Sequence, residues 1–177
     1  MSDDLPGWQT HDSEGGHIEG WPAWALHVQA FIREAATSPA PVLLVDRDFH
    51  RWPLGERATV DAFHDWALAQ RQARCWLLAE DWVRVHAVHP RWLQWRQTWT
   101  HKVLCRAPAD EDRDGSAWSA LRPMLVQQGR LGLQMLDGDR GIAVWTRRPA
   151  VLADWWHQGD AILQRSCEAT PGATLGL

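Results

Sequence analysis

The chain has 177 residues, 45% of them hydrophobic and 23% charged, a globular composition with room for one core of ordinary size. Its formal net charge of −4 argues against a generic polyanion binder, which needs a strongly basic face, though it permits a local basic patch. The sequence shows neither a signal peptide nor a long apolar span, so the expectation is a soluble, cytoplasmic protein without membrane association.

Residues 1–19 carry acid, Gly and Ser without periodicity and read as a mobile tail, with His11 and His17 as solvated residues. A helix is predicted over 21–37, started by Pro22, with Trp24, Val28, Phe31, Ile32 and Ala35 on one stripe. Residues 41–46, PVLLVD, form a continuous apolar run, as suits a parallel strand covered on both faces. The loop RDFHRWPLGE follows its carboxyl end, where open α/β sheets bind ligands, so Arg47, Asp48, His50, Arg51 and Trp52 are the first site candidates.

A helix over 56–72, with Val60, Phe63, Ala67 and Leu68 on its stripe, leads to a second strand at 74–79, completing a crossover unit. His89-Pro90 breaks the next stretch, and a helix runs from 90 to 99. Trp92, Trp95 and Trp99 share one of its faces, with Arg91 and Arg96 nearby. They can form a stacking surface for bases, or a face packed on the sheet; the second is the commoner use of such a stripe. A third strand is predicted at 101–106, a polar loop after it, and a short or kinked helix over 116–128 containing Pro123. The last helix spans 152–166, with Trp156, Gly159, Ile162 and Leu163 inward, and 169–177 is an extended tail. Cys75, Cys105 and Cys167 fit neither a metal motif nor a disulfide framework.

Residues 130–149 read as a β-hairpin: strands at 131–136 and 141–146 joined by a turn at Asp137-Gly138-Asp139. The predicted fold is therefore one α/β domain over 20–168, with a mixed sheet of three parallel strands plus an antiparallel β-hairpin and helices on both faces. A strand ending in Asp-Gly and an apolar return strand, after three strand–helix units, resemble a half-domain of the phospholipase D superfamily. The resemblance implies His-x-Lys-x4-Asp on the strand entering the turn, the His as nucleophile and the Lys as the phosphate's cation. With the family's Asp on Asp137, its His falls on Arg130 and its Lys on Gly132. The turn Asp is kept; the nucleophile and the cation are not.

Two functions follow. One is a non-catalytic binding or assembly module on a degenerate phospholipase D-like fold, with Arg47, His50, Arg51, Arg130 and Asp137 as candidate ligand or phosphate contacts. The other is a phosphodiesterase or nuclease with a site rebuilt from His50, Arg47, Arg130 and Asp137. Gly132 favours the first, since no cation stands opposite a phosphate there. A nucleic acid or a phosphate-bearing ligand is compatible with these cations. No G-x-G-x-x-G, G-x4-G-K-[ST], H-E-x-x-H or G-x-S-x-G motif occurs, so no cofactor, metal or catalytic residue is assigned. Family half-sites pair about a two-fold axis, so a homodimer through the face around Gly132 and Trp145 is a further expectation.

Overall fold

The computed structural model describes residues 14–169. The expectations for residues 1–13, His11 included, and for 170–177 lie outside the described residues. In chain order the elements are β1 (Gly15–Glu19), α1 (Trp21–Ala35), β2 (Val42–Val45), α2 (Arg57–Ala69), β3 (Cys75–Leu78), α3 (Trp82–Val88), α4 (Pro90–Thr98), β4 (Val103–Ala107), α5 (Asp110–Arg113), α6 (Ser116–Ala120), β5 (Met124–Gln127), β6 (Leu131–Asp137), β7 (Ile142–Thr146), α7 (Pro149–Leu163) and β8 (Cys167–Glu168).

The strands make one open mixed sheet in the order β1-β7-β6-β5-β2-β3-β4-β8. Strands β2, β3 and β4 are parallel, and β6 and β7 form the expected hairpin. The apolar runs of the parallel strands reflect burial on both faces. In β2, Val42 and Leu44 join the large core under α1 and α2, while Leu43 and Val45 join a second core under α7. Burying each such side chain stabilises by about 1.5–3 kcal/mol. Gly159 lets α7 approach the sheet: a Cβ there would lie 2.6 Å from Leu43 Cδ2 and 2.7 Å from Met124 Cε.

Several expectations are corrected. Residues 15–19 do not trail as a tail but pair with β7, Gly15 opposite Thr146 and Glu19 opposite Ile142. Ile18 anchors this edge strand in the core. Residues 116–128 are not one helix: α6 stops at Ala120, and β5 pairs antiparallel with both β2 and β6. Pro123, which has no N–H for a helix, stands just before β5, and Met124–Gln127 is wholly buried. The hairpin therefore reaches the parallel strands only through β5. On α2, Trp66 rather than Leu68 faces the core; Leu68 is exposed. On α7, Leu152 and Trp155 are buried, and Trp156 is half-buried against Trp76.

The face expected to carry a dimer does not exist as one surface. Strand alternation sends Gly132 and Trp145 to opposite sides of the sheet. A Cβ at 132 would lie 2.8 Å from Leu152 Cδ2 and 3.0 Å from Trp155 Cε3, so α7 already fills that side. Trp145 lies in the other core, its indole against Gly16 of β1. No helix among the described residues is long and apolar enough to cross a membrane.

Candidate functional site

A cavity of about 300 Å3 opens at the carboxyl end of β2, the side of an open α/β sheet that takes ligands. Val45, Met135, Leu121, Pro123, Trp21 and Trp118 supply apolar wall, and Asp46, Arg47, Asp48, His50, Arg51, Gly138 and Asp139 the polar lining. Four segments meet here: the loop after β2, the start of α1, the α6–β5 connection and the hairpin turn.

The loop after β2 is held from within. Asp46 Oδ1 accepts the N–H groups of Asp48 and Phe49 at 3.0 and 3.2 Å, and its Oδ2 accepts Trp52 Nε1–H at 2.8 Å. Burial pushes the Asp46 carboxyl above its ordinary range, more than these donors pull it down. Phe49 adopts φ 51° and is fully buried against Trp52, so the next residues turn back over the strand end. The Arg47 carbonyl accepts the N–H groups of Glu80 and Asp81, both at 2.9 Å, fixing the backbone beneath the cavity.

The charges sort into paired and unpaired. Asp48 Oδ1 accepts the His50 N–H at 3.0 Å and lies 2.6 Å from His50 Nδ1, while Arg84 Nε is 3.3 Å from Oδ2. Burial pushes Asp48 upward, but His50 and Arg84 together hold its carboxyl below the usual range. Arg51 donates to the Gly138 carbonyl at 2.9 Å and lies over the Trp21 ring at 5.2 Å, tying this loop to the hairpin turn. Glu80 accepts the Trp118 indole N–H at 2.8 Å, fixing that wall. The guanidinium of Arg47 and the carboxylate of Asp139 have no side-chain partner among the described residues.

Of the residues expected from sequence, Arg47, His50 and Arg51 meet at this cavity. Asp137 sits at its edge but does not line it; Oδ1 accepts the N–H groups of Asp139 and Arg140 at 3.0 and 3.1 Å and closes the turn. Arg130 is elsewhere. It precedes Leu131, which pairs with Gln127, itself opposite Val42 at the amino end of β2. Seven residues of strand, roughly 20 Å, separate it from Asp137. The four-residue rebuilt site is therefore not assembled. Trp52 is buried as a support for Asp46 and lies outside the lining.

Of the two uses open to the Trp stripe, packing accounts for most of it. Trp92 is buried, and Trp95 and Trp99 are half-buried. Their rings pack in series at 6.3 and 6.4 Å, with Phe63 of α2 5.5 Å from Trp95. The stripe packs on Phe63 and His64 of α2 and leaves Trp95 and Trp99 partly accessible. Among the described residues, no group of three or more His, Cys, Asp or Glu is placed to hold a metal ion.

Sequence reasoning missed the cavity's walls and Asp139. Trp21 read only as the start of a helix and Trp118 as part of another, and nothing local joins them to β2.

No protein-family model matches the sequence, and no curated protein matches it. Solved structures do share the fold. TrmBL2, an archaeal chromatin protein whose structure shows a mode of DNA binding, superposes with a TM-score of 0.62 at 15% identity over 90% of this chain. This chain spans only 56% of that one. Nuc from Salmonella typhimurium, a phospholipase D family member, gives a TM-score of 0.55 at 7% identity, covering 88% of this chain and 99% of Nuc. NucT from Helicobacter pylori gives 0.53 at 8% identity, with 88% and 99% covered. The chain thus has a phospholipase D-like fold.

Proposed function

We propose that the chain is a non-catalytic binding module on this fold, with the cavity at the carboxyl end of β2 as its site and Arg47 as the receptor for an acidic group of the ligand. The observation that carries this reading is Arg47, whose guanidinium has no partner among the described residues, in the lining of a largely apolar-walled cavity of about 300 Å3. That volume is at the small end of ligand pockets, roughly 300–1,000 Å3. A guanidinium is always charged and binds carboxylate or phosphate through two parallel hydrogen bonds. The positions that the family resemblance gives to nucleophile and cation support the absence of phosphodiester chemistry. Arg130 is no nucleophile and stands away from the cavity, and Gly132 lies beneath Leu152 and Trp155.

TrmBL2 keeps a DNA-binding reading in view. The net charge of −4 and the packed Trp92–Trp95–Trp99 stripe favour a small ligand over a polyanion. One observation favours a catalytic rival: Asp48 orients His50, which lines the cavity, as a carboxylate orients a nucleophilic or basic imidazole.

The test is a titration of the full chain with small carboxylates and phosphates, beside hydrolysis assays on lipid, DNA and a generic phosphodiester. The expected result is saturable binding of an acidic ligand, lost in Arg47→Ala, and no hydrolysis above background. Hydrolysis that survives purification and disappears in His50→Ala overturns the non-catalytic reading.

A further inference from the structure

We infer that the cavity takes a free α-amino acid with an apolar side chain, its carboxylate on Arg47 and its ammonium on Asp139. This rests on the reading of the cavity as a binding site and names the ligand class.

The argument is one of charge balance. Around the cavity Asp48 is matched by His50 and Arg84. Arg51 is engaged by Gly138 and Trp21. Asp46 accepts three N–H donors and is turned into its own loop. Among the described residues, Arg47 and Asp139 are the lining side chains of opposite charge left without any partner, and they do not pair with each other. They leave strands β2 and β6, which flank β5, so their backbones are separated by two strand spacings, about 10 Å. Both residues belong to the cavity lining, one from each side.

A ligand of one sign satisfies one of these groups and faces repulsion from the other. A phosphate on Arg47 leaves the carboxyl of Asp139 without a counter-charge and faces it across the cavity. A zwitterion satisfies both ends at no net charge. Between them the surface is apolar, with Val45, Met135 and Leu121 below two indoles, so the rest of the ligand is a hydrocarbon or aromatic side chain. A cavity of about 300 Å3 holds one such molecule and no chain.

The experiment is calorimetric titration of the full chain with L-leucine, L-methionine and L-phenylalanine, with their N-acetyl and carboxamide derivatives, and with inorganic phosphate and a nucleoside monophosphate. At least one free amino acid is expected to bind. Loss of either charge, by derivatising the ligand or by Arg47→Ala or Asp139→Asn, is expected to weaken binding by about tenfold or more. Both side chains are on the surface, and an unchanged thermal midpoint shows that each variant folds. Binding indifferent to N-acetylation and to Asp139→Asn overturns the zwitterion. Phosphate binding through Arg47 without amino-acid binding also overturns it, yet leaves the cavity as an anion site. If nothing in the panel binds, both readings fall.

Discussion

His89 Nε2 lies 2.7 Å from the carbonyl oxygen of Phe49, 40 positions earlier in the chain. The same ring accepts the Gly55 N–H on Nδ1 at 3.1 Å. A bare Nδ1 and a protonated Nε2 define the neutral tautomer, so this imidazole bridges two points of the cavity loop only while uncharged. His89→Ala leaves the half-buried Gly55 N–H without its acceptor and the Phe49 carbonyl with the Trp52 N–H alone. The expected cost is about 1–3 kcal/mol in urea denaturation, with ligand binding weakened as the loop loosens.

A pH dependence follows. Burial holds His89 below its ordinary value of 6.5, against the Phe49 bond and Asp48, which act upward. Burial also lowers His27 and His86. A depressed histidine in the folded state means that the unfolded chain binds protons first as pH falls, so stability is present above the unfolded value and drains away below it. The urea midpoint should decline from about pH 6.5 downward, and His89→Asn should flatten that decline. A midpoint independent of pH between about 7.5 and 5 would show that the ring does not bridge as a neutral base.

Rebuilding the family motif should fail. In Arg130→His/Gly132→Lys the new side chain at 132 meets Leu152 and Trp155 at once, since a Cβ alone comes within 2.8 Å of the leucine. Overpacking of this kind costs typically about 1–3 kcal/mol. A lower thermal midpoint without phosphodiesterase activity is the expected outcome; measurable hydrolysis would mean that α7 moves aside.

Lys102 is buried, and its ammonium donates to the carbonyls of Ala67 and Gln70 at 2.6 and 2.5 Å, capping the end of α2. It also lies over the Trp66 and Trp99 rings at 5.3 and 5.6 Å. Desolvation lowers its pKa, yet the helix end and the two ring faces favour the charge. Lys102→Met keeps the stem and removes the cap, with an expected loss of about 1.5–3 kcal/mol in denaturant unfolding.

The cysteines should separate by reactivity. Cys75 and Cys105 are buried, and burial pushes the Cys105 thiol up to about 12 and that of Cys75 higher still. Cys167 is exposed. A thiol reagent on the native protein should label one cysteine, identified as Cys167 by peptide mapping, and reach the other two only on unfolding.

The parallel strands were readable because burial on both faces leaves apolar runs, VLLV at 42–45 and CWLL at 75–78. The hairpin was readable because its turn residues are local. β5 was not: Trp118, Leu121 and Leu125 fall at helical spacing, yet Trp118 sits in a helix that stops at Ala120 and Leu125 joins the core on the other face of the sheet. β1 was not, because its GGHIE sequence offers one core residue, Ile18, and its partner lies at the far end of the chain. The same holds for the site. Arg47, His50 and Arg51 follow from the rule about strand ends, whereas Trp21, Trp118 and Asp139 reach the cavity only through tertiary packing.

Thr146 Oγ1 donates to the Glu14 carbonyl, a bond spanning 132 positions, beside the ladder that joins β1 to β7. During synthesis the segment that becomes β1 leaves the ribosome early, and its partner strand emerges only after all three parallel strands and the first arm of the hairpin. Until then Ile18 has no strand beside it, and the nascent chain carries an unpaired glycine-rich ribbon. The ends of so long a loop meet slowly. The β1 segment thus waits longest for its partner, and in the interval it is a place where a second nascent chain can pair in error.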